Sequence, residues 1–243
     1  MKNIGIVCEG PTDYMILRGI IDKITNENNY YVQLQPEPDL TGKYGNGWKG
    51  VWKWCNDHGR ILKSYMKDVT PCLDFLIIQI DGDVARKERE VHCLCNSTIC
   101  RDKGIVNPLK CDKITQNTCP IELPCISHDL SVEAYIDHLT EVAMSWLSGN
   151  SDNVCIVIPC DCTDTWIVAA YDRLENIELT EDPWTNLISR GKDYHGIRIS
   201  GHRKNQIIYR QFIDHVCEQW DEVKRLCISA ERFEERIKLC CLN

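Results

Sequence analysis

Two apolar segments of this chain are each followed directly by a short acidic cluster. Residues 4–7 lead into the acidic segment 8–13, and residues 75–80 lead into the cluster 81–83. A short apolar run bounded by turn signals is typical of a strand buried in a parallel sheet. Because sites in open α/β sheets are built at the carboxyl ends of strands, the two segments predict one site at that edge.

The acidic side chains of the two clusters are candidate metal ligands. They are Glu9 and Asp13 after the first segment, and Asp81 and Asp83 after the second. Carboxylate oxygens with little neighbouring Lys or Arg are the ligands that a hard divalent cation such as Mg²⁺ requires. Taken singly, the first pair could be acids at a helix N-terminus and the second a tight hairpin turn. Taken together, they predict a metal site shared by neighbouring strands.

The remaining pattern alternates strands with helices. Strands are predicted at 3–8, 30–34, 74–80 and 154–158, and helices at 12–25, 50–67, 131–148, from about 166, and through the tail from about 206. Long connections between strands favour a mainly parallel sheet that is covered by helices on both faces. The predicted fold class is therefore α/β, with a mainly parallel sheet flanked by helices and a helical C-terminal tail.

Residues 84–128 interrupt this alternation and are predicted to form a cysteine-rich insertion. Six of the sixteen cysteines fall there: Cys93, Cys95, Cys100, Cys111, Cys119 and Cys125. Structural zinc takes four Cys or His ligands, usually with a Cys-x-x-Cys pair, and the segment contains no such pair. The pattern favours unligated thiols, and a structural Zn²⁺ site is the less favoured alternative.

The two acidic motifs resemble those of the Toprim family. The stretch Glu-Gly-Pro-Thr-Asp at 9–13 looks like the first Toprim motif, and Asp81-Gly82-Asp83 looks like the Asp-x-Asp motif. The resemblance covers roughly residues 1–175, and its first motif is closer to OLD-type nucleases than to topoisomerases. It implies that Glu9 acts as acid/base or metal ligand, and that the two aspartates hold Mg²⁺ or Mn²⁺.

Three further residues are candidates for the same site. A two-metal site is expected to need another acid, because one cation activates water while the other stabilises the leaving oxygen. Asp164 resembles the acidic helix start of stand-alone Toprim defence proteins, and the sequence favours it over Glu133. Glu133 resembles the Ser-x-Glu element of OLD-type nucleases, but it is more simply a first-turn helix acid. Lys204 resembles their C-terminal lysine, with a solvated basic loop as the alternative.

Composition limits the classes of function that fit. The net charge of −8 disfavours tight unaided binding to a nucleic acid, because phosphate affinity normally comes from Lys and Arg.

No apolar run approaches about 18 residues, so no membrane association is expected. No signal peptide is recognisable, and the expected location is the cytoplasm. The chain has no room for the additional domains of a primase or topoisomerase, and it has no phosphate loop for ATP.

These observations lead to one principal hypothesis and one alternative. The principal hypothesis is a Mg²⁺-dependent Toprim nuclease that cleaves DNA or a structured RNA such as tRNA. Such a protein would be an antiphage-defence effector with a separate ABC-type ATPase as partner. The alternative is a catalytically silent Toprim scaffold that regulates such an ATPase. The expected domains are a catalytic unit at 1–175 and a mainly helical extension at 176–243, and self-association is left open.

Overall fold

The computed structural model describes residues 1–38, 42–86, 131–148, 152–180, 182–189, 193–199 and 204–241. The predicted cysteine-rich insertion lies outside the described residues, apart from positions 84–86. Its cysteines and its zinc alternative therefore stay sequence predictions.

Four parallel strands form one sheet in the described residues. The strands are β1 (Asn3–Val7), β2 (Tyr30–Gln35), β3 (Phe75–Gln79) and β4 (Val154–Val157). Their order is β2-β1-β3-β4, and each neighbouring pair runs parallel. The predicted α/β class and parallel sheet are thereby confirmed. A hairpin at Asp81 and Asp83 is excluded, because both neighbours of β3 run parallel to it.

Helices flank this sheet. They are α1 (Pro11–Thr25), α2 (Trp48–His58), α3 (Leu62–Asp68), α4 (Asp83–Arg86), α5 (Val132–Trp146), α6 (Asp164–Asp172), α7 (Pro183–Ser189), α8 (Gln206–Glu218), α9 (Trp220–Leu226) and α10 (Ile228–Cys241). Within the described part of the chain, no helix is both long and apolar enough to cross a membrane.

The helix predicted over 50–67 is divided in the structure. A 3-10 turn at Gly59–Ile61 separates α2 from α3. A methyl group at Gly59 would lie 2.6 Å from the carbonyl oxygen of Trp146, so the chain passes tightly against the end of α5 at this point. The division therefore occurs at a close tertiary approach, which the apolar periodicity of the segment does not reveal.

Each face of the sheet is covered by its own hydrophobic core. Successive strand residues point to opposite faces, so Ile77 lies in a first core with α1 and the C-terminal helices. Ile78 lies in a second core with residues of α2 and α5. Both side chains are fully buried. Burial on both faces explains why the strands appear in the sequence as continuous apolar runs.

The helices of the C-terminal tail complete the first core. Helix α8 packs against α1 and α6, while α10 packs against α1 and β4. The ring of Trp166 in α6 stacks on Phe233 in α10, with centroids 5.5 Å apart, and its Nε1 donates to Ser229 Oγ at 2.9 Å. The tail thus shares a core with the sheet, and the domain boundary near residue 175 stays a prediction.

Phe233→Ala is expected to destabilise the whole fold, because it removes the ring that joins α10 to α6. A buried aromatic residue replaced by Ala typically costs about 3–5 kcal/mol of unfolding free energy. Urea denaturation of the full chain measures this. Leu239→Ala on the same helix is the control, since Leu239 is 66% exposed and a change of less than about 0.5 kcal/mol is expected there. Equal effects of the two variants would contradict the packing described.

Candidate functional site

The sheet changes the direction of its connections between β1 and β3. Strand β1 leads through α1 to β2 on one side, and β3 leads to β4 on the other. The segments that leave the two central strands diverge at this point, and the resulting crevice is the usual ligand site of an open α/β sheet. Glu9 follows β1 and Asp81 follows β3, so both predicted clusters flank the crevice.

Hydrogen bonds join Glu9 to Asp81 across the two central strands. The Asp81 backbone N–H donates to Glu9 Oε1 at 2.8 Å. Gln79 accepts from the Glu9 backbone N–H at 3.1 Å through its Oε1, and its Nε2 donates to Asp81 Oδ1 at 2.7 Å. Gln79 is fully buried, and its two hydrogen bonds hold the two acidic residues at a fixed spacing. Sequence reasoning did not identify Gln79 as a site residue, although it is a single amide within an otherwise apolar strand.

The loop before α2 also holds Glu9. The Gly47 N–H donates to the Glu9 carbonyl oxygen at 2.8 Å, and the backbone N–H of Trp48, at the start of α2, acts to lower the pKa of the Glu9 carboxyl group. Gly47 has a φ of 78°, a left-handed conformation that glycine adopts without strain. The loop that precedes α2 therefore turns beside the first acidic motif.

The second acidic motif packs against the loop that follows β4. The Gly82 N–H donates to the Pro159 carbonyl oxygen at 2.9 Å, and the Asp83 N–H donates to the Asp161 carbonyl oxygen at 3.0 Å. A methyl group at Gly82 would lie 2.8 Å from that Pro159 oxygen, so a larger residue would push the loops apart. Glycine between the two aspartates thus allows β3 and β4 to present their loops side by side.

Asp13, in the first turn of α1, is tied to the loop after β4. Thr163 Oγ1 donates to Asp13 Oδ1 at 2.5 Å, and both side chains are buried. The two residues are 150 positions apart in the sequence. Thr163 was not identified from the sequence, because no local pattern indicates a contact across that distance.

Asp164 is paired with two side chains of the C-terminal region. Lys204 Nζ lies 2.6 Å from Asp164 Oδ2, and the Tyr209 hydroxyl donates to Asp164 Oδ1. Asp164 is 0% exposed. Burial acts to lower the pKa of Lys204, but the negative charges of Asp164, Asp81 and Asp13 outweigh it and raise the pKa. Lys204 therefore belongs to the acidic cluster in space, although it is distant from the other members in sequence.

Desolvation and mutual repulsion raise the pKa values of the clustered carboxyl groups. Desolvation is the main cause for Glu9, whose pKa rises to about 8, and the charges of Asp83 and Asp13 act in the same direction. The pKa of Asp81 is raised well above its ordinary value, first by burial and then by Glu9. Burial also raises the pKa of Asp13, against the influence of Lys204. A bound cation would relieve this repulsion.

Glu133 occupies different surroundings. It lies in the first turn of α5, which Ser131 caps by accepting from the Ala134 N–H at 3.3 Å. Backbone hydrogen bonding at this helix start is the main cause of its lowered pKa, and the charged groups that act on it are Arg232 and Asp137. The structure thus brings together Glu9 with the aspartates and Lys204, whereas Glu133 takes part in none of the contacts described for that cluster.

The cluster fits a hard cation by its chemistry more than by its present geometry. In the described segments, no three His, Cys, Asp or Glu side chains are arranged to hold one metal ion. Glu9, Asp13 and Asp164 instead accept hydrogen bonds from neighbouring protein groups. The set still consists of carboxylate oxygens, which Mg²⁺ and Mn²⁺ prefer, and their repulsion favours a cation between them. Binding would require these side chains to turn toward a common point.

Comparison with known proteins assigns no family. No family model, curated protein or solved structure matches this chain. What the fold and the site define is an α/β protein with an acidic cluster at the switch point of a parallel sheet. The resemblance to the Toprim family rests on sequence motifs alone.

Tyr209→Phe is expected to weaken the fold, since it removes the hydroxyl that donates to the buried Asp164. A hydrogen bond to a charged group contributes about 1.5–3 kcal/mol, and that amount of unfolding free energy should be lost. Chemical denaturation followed by circular dichroism measures it. Tyr30→Phe is the matched control, because Tyr30 is 53% exposed. A Tyr209→Phe protein as stable as the wild type would show that the bond contributes nothing.

Proposed function

We propose that this chain is a Mg²⁺-dependent nuclease of the Toprim type that cleaves DNA or a structured RNA such as tRNA. The observation that carries the proposal is the hydrogen-bonded pairing of Glu9 with Asp81 at the switch point. These residues come from two motifs that are 72 positions apart, and each motif resembles a Toprim motif at the corresponding place in the sequence.

The proposed site assigns different tasks to the clustered side chains. Asp81 and Asp83 would hold the cation, with Glu9 as a further ligand or as the acid/base. Burial and the charges of Asp83 and Asp13 raise the pKa of Glu9 to about 8, and a cation bound between these acids would lower it again. When bound, Mg²⁺ or Mn²⁺, in one or two sites, would activate water and stabilise the leaving oxygen. Asp13 lies beside these acids and adds a further negative charge to the cluster.

Asp164 and Lys204 form the other half of the proposed site. Lys204 would stabilise negative charge that develops on the scissile phosphate, and Asp164 would hold it in place through their ion pair. Asp164 stays the predicted additional metal ligand, although both of its oxygens are engaged with protein partners. Glu133 stays a sequence prediction with no part in this arrangement.

A cavity of about 500 Å³ opens beside the first acidic motif. Its walls include Pro11, Gln33, Pro36, Asn46 and Gln206. A volume of this order is typical of ligand pockets and is sufficient for a nucleotide unit. Pro11 lies within the Glu9-to-Asp13 motif. A nucleic-acid strand bound in the cavity would therefore pass close to the carboxylates of Glu9 and Asp13. The size and position of the cavity are compatible with a nucleotide unit, but Glu37, which also lines it, offers no attraction to a phosphate.

The cellular setting of the proposal follows from the resemblance to stand-alone Toprim proteins. We propose a cytoplasmic antiphage-defence effector with a separate ABC-type ATPase as partner. The net charge of −8 is consistent with a partner that supplies positive surface for the nucleic acid. The same charge also favours the alternative, a catalytically silent scaffold that binds and regulates such an ATPase.

The proposed reaction predicts metal-dependent cleavage by the purified protein. Plasmid DNA and total tRNA should be cut in the presence of Mg²⁺ or Mn²⁺ and left intact with EDTA. Repeating the assay with the protein encoded by the neighbouring gene tests whether a partner is required. Glu9→Gln and Asp81→Asn should abolish cleavage, because each removes a carboxylate from the paired motifs. Gel electrophoresis of the products measures the loss.

Two outcomes would count against this assignment. Cleavage that persists in both variants would mean that the acidic cluster does not perform the reaction. A folded wild-type protein that cuts neither substrate and binds no Mg²⁺ or Mn²⁺ at millimolar concentration in calorimetry would instead favour the scaffold.

Lys204→Ala separates the chemistry from metal binding. If Lys204 stabilises the transition state, its loss should reduce turnover by about 10²–10³ while metal affinity changes little. Single-turnover kinetics and calorimetry measure the two effects, and thermal unfolding checks that the protein folds without the Asp164 ion pair. Lys63→Ala is the control for lost positive charge, since the Lys63 side chain is 77% exposed. A folded Lys204→Ala protein with full turnover would refute the proposed role.

A further inference from the structure

The cavity beside the first acidic motif has a polar wall without positive charge. Its volume of about 500 Å³ lies within the usual range of ligand pockets. Of the described residues that line it, Glu37 alone carries a charge, and the other polar side chains are the amides of Gln33, Asn46 and Gln206. A phosphate inside would meet a carboxylate and no cation from these residues. The wall therefore suits an uncharged part of a ligand.

Hydrogen bonds within the wall hold its acceptor groups in place. The Lys43 backbone N–H donates to Glu37 Oε2 at 2.9 Å, which fixes the carboxylate and leaves Oε1 to accept from a ligand. Gln33 Nε2 donates to the Pro36 carbonyl oxygen at 2.6 Å, so the amide oxygen is the end of Gln33 that can serve a ligand. Both side chains thus offer acceptors to whatever enters the cavity.

Gln35 supports the loop side of the wall from behind. Its side chain is 0% exposed, and its Nε2 donates to the carbonyl oxygen of Gly45, which lines the cavity. Its Oε1 is buried and has no hydrogen-bond partner in the part of the chain that the structure describes. Buried acceptors are seldom left unpaired. The unpaired oxygen next to this wall adds to the excess of acceptors over donors.

The chemistry of the wall defines the ligand that fits it. Its apolar surface comes from three prolines, Pro11, Pro36 and Pro38. Such surface packs against a flat heterocycle, while the acceptors require N–H donors on the edge of that ring. The amides of Asn46 and Gln206 can in turn donate to an acceptor of the ligand. A nucleobase with an amino group meets all these demands, whereas a guanidinium or ammonium group would leave the amide donors unused.

We propose that this cavity binds the base of a nucleotide and prefers guanine. Guanine carries two neighbouring donors, N1–H and the N2 amino group, and no other standard base presents such a pair. A carboxylate accepts at both oxygens, so Glu37 matches these two donors. The O6 atom of guanine accepts from the amide of Asn46 or Gln206. Glu37 is therefore the residue that determines base specificity.

The cavity borders the acidic cluster, so this inference rests on the proposed nuclease function and names the nucleotide that the site selects. Among the lining residues, Pro11 comes two residues after Glu9, and Gln206 comes two residues after Lys204. Asn46 precedes Gly47, whose N–H donates to the Glu9 carbonyl oxygen at 2.8 Å. With the base inside, the sugar and phosphate stay outside, where cations in the acidic cluster can offset the phosphate charge.

Calorimetry with nucleosides tests the base site without any cleavage. The full-length protein in EDTA should bind guanosine more tightly than adenosine, cytidine or uridine, and GMP no more tightly than guanosine. Inosine, which lacks the N2 amino group, should bind about tenfold more weakly, since a hydrogen bond to a charged group is lost. Glu37→Gln should weaken guanosine binding by a similar factor. Glu218→Gln is the matched control, because the Glu218 side chain is 72% exposed and lies outside the cavity wall.

Three results would overturn the base site. One is equal affinity for the four nucleosides, or no binding of any of them. Another is unchanged guanosine affinity in a Glu37→Gln protein whose circular dichroism shows it to be folded. The third is binding of N-acetylarginine amide in preference to guanosine, which would mean that the cavity receives an arginine side chain of a protein partner.

Sequencing the ends of cleavage products separates this inference from the nuclease proposal. Wild-type protein with Mg²⁺ or Mn²⁺ should cut next to guanine more often than next to other bases, and Glu37→Gln should lose that preference. Cleavage without base preference, together with no selective guanosine binding, would refute the base site and leave the nuclease standing. Selective guanosine binding by a protein that cuts no nucleic acid would support the base site and count against the nuclease.

Discussion

A parallel sheet that is buried on both faces leaves only its edges for charged side chains. Ile77 and Ile78, adjacent in β3, lie in the two separate cores, so neither face of this strand could accept a carboxylate at low cost. The acids of this protein accordingly follow the strands and gather where the central strands end. Crowding them there raises their pKa values, and this stored repulsion is what makes the carboxyl edge a candidate cation site.

The C-terminal region compensates part of that charge. Lys204 and Tyr209 both contact the buried Asp164, and α8 and α10 close the first core beneath the site. Asp164 is fully buried while the Lys204 side chain is 35% exposed, so removing Lys204 would leave a buried acid without its charged partner. Folding of the tail and the electrostatics of the candidate site are therefore coupled. Residues 1–175 without this tail would have an uncompensated acid at their centre.

Several parts of the fold follow from local patterns. The strands and most helices were predicted within a few residues, because burial on both faces produces apolar runs and one-sided burial produces helical spacing. The break at Gly59 was missed, since its cause is the nearby end of α5. Gln79 was also missed as a site residue, because a single amide in a strand does not reveal that it bridges Glu9 and Asp81.

The sequence by itself determined the α/β class, the positions of the strands and the fact that carboxylates follow two of them. These features are local, because each depends on residues within one element or its adjoining turn. Only the tertiary structure decided that Thr163 bonds Asp13, that Lys204 pairs with Asp164, and that Glu133 has other neighbours. The physical reason is that these contacts join residues far apart in the chain, and the strand order and the docking of the helices bring them together.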